Sequence, residues 1–211
     1  MIHLACFTKI TRIQVQNDLA GALGSPGAVV CKAETGKPFL KSPDGTIKGL
    51  SVSHVRRATA PLSFMAAGGR ADFAIDAESW PPNKGSGAFL SSITVPEESA
   101  FVQRLAALEA DPAVVLWAIK EASLKASGEV MTDPRHLSAS LSRNGHISVR
   151  SSAKAAAPLL PTEVTLYRFT PGTGETPILL ALAFVEDGAS QAVQRLQLVG
   201  HEGKLQPVKL P

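Results

Sequence analysis

Three carboxylates and one ammonium offer the most suggestive chemistry in this sequence: Asp76, Glu78, Glu121 and Lys125. Asp76 and Glu78 stand two apart in the run Phe73-Ala74-Ile75-Asp76-Ala77-Glu78. Strand period puts Phe73 and Ile75 on one face and both carboxylates on the other. Neighbouring carboxylates repel unless a cation or a basic group sits between them. Glu121 is placed to add a third, and oxygen-only ligands favour a hard cation such as Mg²⁺. An Asp-x-Glu at a strand end is also the ordinary pattern of a solvated edge.

A helix must deliver Glu121 and Lys125. Asp111-Pro112 opens it, because Asp caps free N–H groups and Pro is preorganised for the first helical position. Gly128 closes it by tolerating the left-handed exit. Trp117, Glu121 and Lys125 follow at i, i+4 and i+8 and share one face. On a solvated surface this reads as a buried Trp beside a Glu–Lys pair worth about 0.2–0.5 kcal/mol.

The rest of the chain alternates strand and helix patterns. Residues 2–7 read as a strand. Residues 8–23 read as a helix with Ile10, Ile13, Leu19 and Leu23 on its apolar face and Gly24 as its stop. Ser25-Pro26-Gly27 is a turn before a short strand at 28–31, and Glu34-Thr35-Gly36-Lys37-Pro38 is a turn that presents Lys37. Strands follow at 49–54, ending on Ser53-His54, and at 61–67. His54 by itself is equally an ordinary loop histidine. Residues 81–87, rich in Pro, Gly and Ser, read as a linker. Thr94-Val95-Pro96-Glu97 is a capping-box pattern for a helix to about Glu109. Beyond the organising helix, strands at 137–142 and 146–150 join through Asn144-Gly145, and 164–169 pairs with 178–185. Residues 191–199 fit helix or strand, and the C-terminal residues read as loose.

Composition bounds the function. The chain has 211 residues, 45% hydrophobic and 18% charged, enough for one large or two small folded units. A net charge of +3 suits an anionic ligand or an acidic partner. No Lys/Arg block and no aromatic-basic stacking motif supports nucleic-acid binding; Tyr167 is the only tyrosine. No apolar run reaches membrane-span length, and residues 1–7 lack a signal-peptide pattern, so a cytoplasmic protein is expected. Cys6 and Cys31 have no metal or redox spacing and are expected to be buried and reduced.

Taken in order, Gly36-Lys37-Pro38, Ser53-His54, Ile75-Asp76-Ala77-Glu78 and Trp117-x-x-Lys120-Glu121-Ala122-x-x-Lys125 form a series. It resembles the motif series of the 4′-phosphopantetheinyl transferases, in particular the surfactin-synthetase-activating type with two fused pseudo-repeats. Thr94 to Glu97 is similar to the segment before that family's second long helix. Arg12 matches an arginine of the helix before Gly-Lys-Pro.

The resemblance implies an α+β fold of two similar α/β subdomains about a pseudo-twofold, with the active site in the cleft between them. The expected division is 1–85 and 86–211. It implies Mg²⁺-dependent transfer of phosphopantetheine from coenzyme A to a serine of an apo acyl or peptidyl carrier protein, releasing 3′,5′-ADP. By analogy, Asp76, Glu78 and Glu121 hold Mg²⁺, Glu121 deprotonates the carrier serine, and Lys125 stabilises the pyrophosphate. Lys37, His54 and Ser53 resemble the groups that bind the 3′-phosphate, with Arg12 as a further phosphate contact. A monomer with no nucleic-acid or membrane partner is expected. Ala74, Val55, Gln16 and Val130 depart from the family's usual Gly, Ser, Arg and Gly, and the stretch ahead of Arg12 is short. These departures motivate a second expectation: a non-catalytic relative that binds coenzyme A or a carrier protein.

Overall fold

The computed structural model describes residues 1–7, 11–55, 61–69, 72–80, 86–129, 133–142, 145–155, 159–172, 175–186, 196–199 and 203–210. Two sheets pack face to face, and a helix covers the outer face of each. The first sheet contains β1 (Ile2–Phe7), β2 (Val29–Lys32), β3 (Pro38–Lys41), β4 (Ile47–Val55), β5 (Leu62–Gly68) and β11 (Leu196–Leu198). Its order is β11-β1-β5-β4-β3-β2, antiparallel except for the β1–β11 pair. The second sheet contains β6 (Phe73–Ser79), β7 (Leu137–Leu141), β8 (Ile147–Ser151), β9 (Thr162–Thr170), β10 (Ile178–Val185) and β12 (Lys204–Pro207). Its order is β6-β10-β9-β8-β7, with β12 pairing the second half of β9. The α+β expectation holds.

The layering explains the sequence pattern. Ile2, Leu4, Phe64 and Ala66 of the first sheet meet Phe73, Ile75, Phe169, Leu180 and Leu182 of the second in one apolar cluster. Alternate residues of β6 and β10, such as Ala74, Leu179, Ala181 and Ala183, face α4 (Pro112–Ser127) in another. Strand β10 is therefore covered on both faces, and its sequence is a continuous apolar run rather than an alternating one. On the outer face of the first sheet, α1 (Arg12–Ala22) packs Leu19 and Ala20 against Leu40, Leu50 and Met65. The methyl of Ala74, where the resembling family has Gly, is taken up in the α4 cluster.

The division into 1–85 and 86–211 remains a proposal, and the sheets exchange strands around it. Strand β6 belongs to the second sheet, and β11 returns to the first. Strand β6 is also an edge, and an edge strand leaves N–H groups to be paired. Two serines of β4 pair them: Ile75 N donates to Ser51 Oγ at 3.0 Å and Ala77 N to Ser53 Oγ at 3.0 Å. Side-chain hydroxyls thus replace a strand ladder along the seam between the sheets.

Several expectations change. Ile13 is 75% exposed, because the buried stripe of α1 runs through Val15, Leu19, Ala20 and Leu23, a face that excludes it. The linker region contains α2 (Gly87–Ile93), and Thr94 ends that helix rather than capping the next, its hydroxyl donating to Leu90 O. The capping contact falls one residue later, with Val95 N donating to Glu98 Oε2 at 2.9 Å. After a short 3-10 turn at Pro96–Glu98, α3 (Ser99–Leu105) stops well before Glu109. Tight i→i+3 bonds from Ala107 and Leu108 turn the chain, and Glu109 O accepts from Trp80 Nε1. Cys31 is only half-buried, and neither Cys6 nor Cys31 forms a disulfide among the described residues. Trp117 is half-buried against Phe89, the ring centroids 5.9 Å apart. Near the C-terminus the chain forms β12 rather than a loose tail. Ile10, residues 81–85, Val130, Asn144 and residues 191–195 lie outside the described residues. No helix among the described residues is long and apolar enough to cross a membrane.

Candidate active site

Helix α4 carries half of the site, and its ends are fixed as the sequence indicates. Asp111 accepts from Ala113 N at 2.9 Å, and Pro112 is the first helical residue. Gly128 adopts φ 80°, and Glu129 N closes the end on Leu124 O at 2.9 Å. Glu121 and Lys125 therefore fall on adjacent turns of one face, where Lys125 Nζ lies 2.9 Å from Glu121 Oε1.

Strand β6 carries the other half. Its Asp76 is buried, and Lys125 Nζ reaches Asp76 Oδ1 at 2.7 Å. Ser53 Oγ donates to the same Oδ1 at 3.1 Å while accepting from Ala77 N. One lysine thus bridges a strand carboxylate and a helix carboxylate, and a serine from the other sheet fixes the strand carboxylate. The second oxygen, Asp76 Oδ2, is buried and has no hydrogen-bond partner among the described residues.

Electrostatics follows from this crowding. Burial pushes the Asp76 carboxyl up, against the Lys125 ammonium and with the help of Glu121. Glu78, two residues on, is pushed up to about 7 by burial and by the charges of Asp76 and Glu121. Burial works against the Lys125 ammonium, but Asp76 and Glu121 outweigh it and raise its pKa. One cation does not balance three carboxyls, so a net demand for positive charge remains. Oxygen-only donors with an unpartnered buried oxygen among them suit a hard cation.

The other expected binding residues scatter more. Lys37 reaches the end of α4 and donates from Nζ to Ala126 O at 2.9 Å, next to Lys125. Burial lowers its pKa. Ser53 is committed to Asp76 and Ala77. His54 points to the opposite face of β4, its Nδ1 2.6 Å from Ser63 Oγ. Arg12 is exposed at the start of α1. Among the described residues, no hydrogen bond or ion pair ties Arg12 or His54 to the carboxylates.

A second polar centre escaped the sequence reading. Lys120, the neighbour of Glu121, is fully buried, with Nζ 2.9 Å from Glu98 Oε2. Its three protons are shared with Ile93 O, Pro134 O and Leu137 O at 2.7, 3.0 and 2.9 Å. Glu98 Oε1 accepts from Ala139 N at 2.7 Å. This node locks the rotation of α4 and so aims Glu121. Lys120 lies four residues after Leu116 and four before Leu124, within the apolar stripe of α4, and that placement was the available signal.

Residues 72–174 match the family model described as the 4′-phosphopantetheinyl transferase superfamily. The matched span includes Asp76, Glu78, Glu98, Lys120, Glu121 and Lys125, and stops short of Arg12, Lys37, Ser53 and His54. No curated protein matches the chain. The acidic strand, the Lys-Glu helix and the node that aims it all lie within the span that is similar to the 4′-phosphopantetheinyl transferase superfamily.

Proposed function

We propose that the protein transfers 4′-phosphopantetheine from coenzyme A to a serine of an apo acyl or peptidyl carrier protein, with 3′,5′-ADP as the second product. The observation that carries the reading is the arrangement of Asp76, Glu121 and Lys125 across β6 and α4, with Glu78 beside them.

Asp76, Glu78 and Glu121 would hold a Mg²⁺ ion, which when bound polarises phosphoryl oxygens and neutralises charge. Lys125 binds the pyrophosphate and stabilises the departing phosphate of 3′,5′-ADP. Glu121, on a helix held rigid by the Lys120–Glu98 node, accepts the serine proton, directly or through a water. The serine oxygen forms the new bond to phosphorus as the bond to 3′,5′-ADP breaks. A positioned general base is typically worth about 10²–10⁴-fold. Lys37 contributes a cation for the nucleotide end of coenzyme A, and Arg12, Ser53 and His54 are the further residues proposed for it. The carrier's acidic surface suits the mild positive balance of the chain.

Incubation with coenzyme A, Mg²⁺ and a panel of apo carrier proteins, read by intact mass, tests the proposal. At least one carrier is expected to gain one phosphopantetheine group on its serine. Coenzyme A binding without modification of any carrier would instead establish a non-catalytic relative.

A further inference from the structure

Lys125 already occupies ground that the proposed function assigns to a metal. Its Nζ lies 2.7 Å from Asp76 Oδ1 and 2.9 Å from Glu121 Oε1, so the nitrogen sits where the two oxygens converge. An ammonium holds carboxylate oxygens at hydrogen-bond distance, about 2.7–2.9 Å. Mg²⁺ requires about 2.0–2.1 Å in a near-ideal octahedron. Each oxygen has a second lone pair, but a divalent cation bonded to these carboxylates lies close to the ammonium, and the two like charges compete for the same pair of anions. In keeping with this, no three His, Cys, Asp or Glu side chains among the described residues are gathered as a metal needs. Asp76 Oδ2 nonetheless stays buried and unpartnered in a residue only 3% exposed, which leaves a carboxylate oxygen unused.

The partners differ in freedom. Ser53 pins Asp76 from the neighbouring sheet. Lys125 is on the last turn of α4 with a third of its side chain exposed. Its four-carbon stem can swing away without any change in the backbone. The side chain that can leave is the lysine, not the aspartate.

We infer that Lys125 is a resident counter-ion, which a divalent cation displaces from Asp76 and Glu121 and which the pyrophosphate of coenzyme A then receives. The inference rests on the metal reading of the proposed function. It assigns Lys125 two successive partners. Without ligands, the ammonium bridges two carboxylates of β6 and α4 that would otherwise repel. With ligands, the metal takes the carboxylates and the ammonium moves to the new anion. Coenzyme A and the metal therefore bind cooperatively through Lys125, and the coupling is reciprocal.

Mn²⁺, a spectroscopic stand-in for Mg²⁺, tests this on the full chain at pH 8. Mn²⁺ is titrated into wild type, Lys125→Met and Lys125→Arg, with and without coenzyme A. Without coenzyme A, Lys125→Met is expected to bind Mn²⁺ about tenfold tighter than wild type, within the usual range of coupling between sites. Lys125→Arg keeps the resident charge and stays near wild type. The tightening of Mn²⁺ by coenzyme A shrinks in Lys125→Met. Equal or weaker Mn²⁺ binding by Lys125→Met overturns the exchange and leaves the metal reading standing. Absence of Mn²⁺ binding in every protein, even with coenzyme A, overturns both. Should Lys125→Met fail to fold, the Lys125 side-chain signal in wild type decides by nuclear magnetic resonance with diamagnetic Mg²⁺. A signal that shifts on adding Mg²⁺ and coenzyme A together supports displacement, and an unmoved signal at saturation refutes it.

Discussion

Glu78 gives the site a pH dependence that can be measured without any ligand. Its carboxyl is raised from 4.5 to about 7, first by burial and then by Asp76 and Glu121, against the opposing charge of Lys125. Between those values the folded protein holds a proton that the unfolded chain has released. Stability from this group is complete below the unfolded pKa and is lost as pH rises through the folded one. At about 1.36 kcal/mol per pH unit the displacement corresponds to roughly 3 kcal/mol. Glu78 is only half-buried, and solvent screening reduces this to about 1–2 kcal/mol. The perturbation is Glu78→Gln, which keeps the shape and removes the charge. Urea denaturation in the presence of a chelator, at pH 5 and pH 8, supplies the four stabilities needed. Wild type is expected to lose about 1–2 kcal/mol more than Glu78→Gln on going from pH 5 to pH 8. Asp76 is raised too and shifts both proteins in the same direction, so the difference reports Glu78 together with its coupling to Asp76. A Glu78→Gln protein whose stability parallels wild type at both pH values would refute the claim that the three carboxyls crowd one another.

Two further outcomes follow from other contacts. Lys120→Met leaves the buried Glu98 carboxyl without its cation, so urea denaturation should show a loss of about 3–5 kcal/mol; a loss below about 1 kcal/mol would mean that the node does not hold α4. Lys37→Ala should weaken coenzyme A more than dephospho-coenzyme A in calorimetric titration, by about 1.5–3 kcal/mol for a charge-assisted contact to phosphate; equal losses for the two ligands would place Lys37 away from the 3′-phosphate.

Local signals carried far along this chain. Helix α4 runs between the Asp111-Pro112 start and the Gly128 stop because capping chemistry acts within a few residues of the sequence. The alternation of Phe73 and Ile75 with Asp76 and Glu78 set the two faces of β6 for the same reason: side-chain period is a local property. Glu121 and Lys125 meet because they are one helical turn apart.

What meets across the fold was decided by tertiary packing. Nothing near Ser53 in sequence says that its hydroxyl will pair an edge of β6 and hold Asp76; that required two sheets to stack with β4 along the seam. Lys120 carries the same charge as Lys125 five residues later, yet one is sealed in the core and the other bridges the site. The turn of α4 against β7 and the Pro96–Glu98 segment made that difference, since a charge is buried only where packing supplies its partners. Strand β12 formed for a similar reason: the second half of β9 lacked a neighbour, and its unpaired backbone groups gave residues 204–207 an ordered place that their own sequence does not demand.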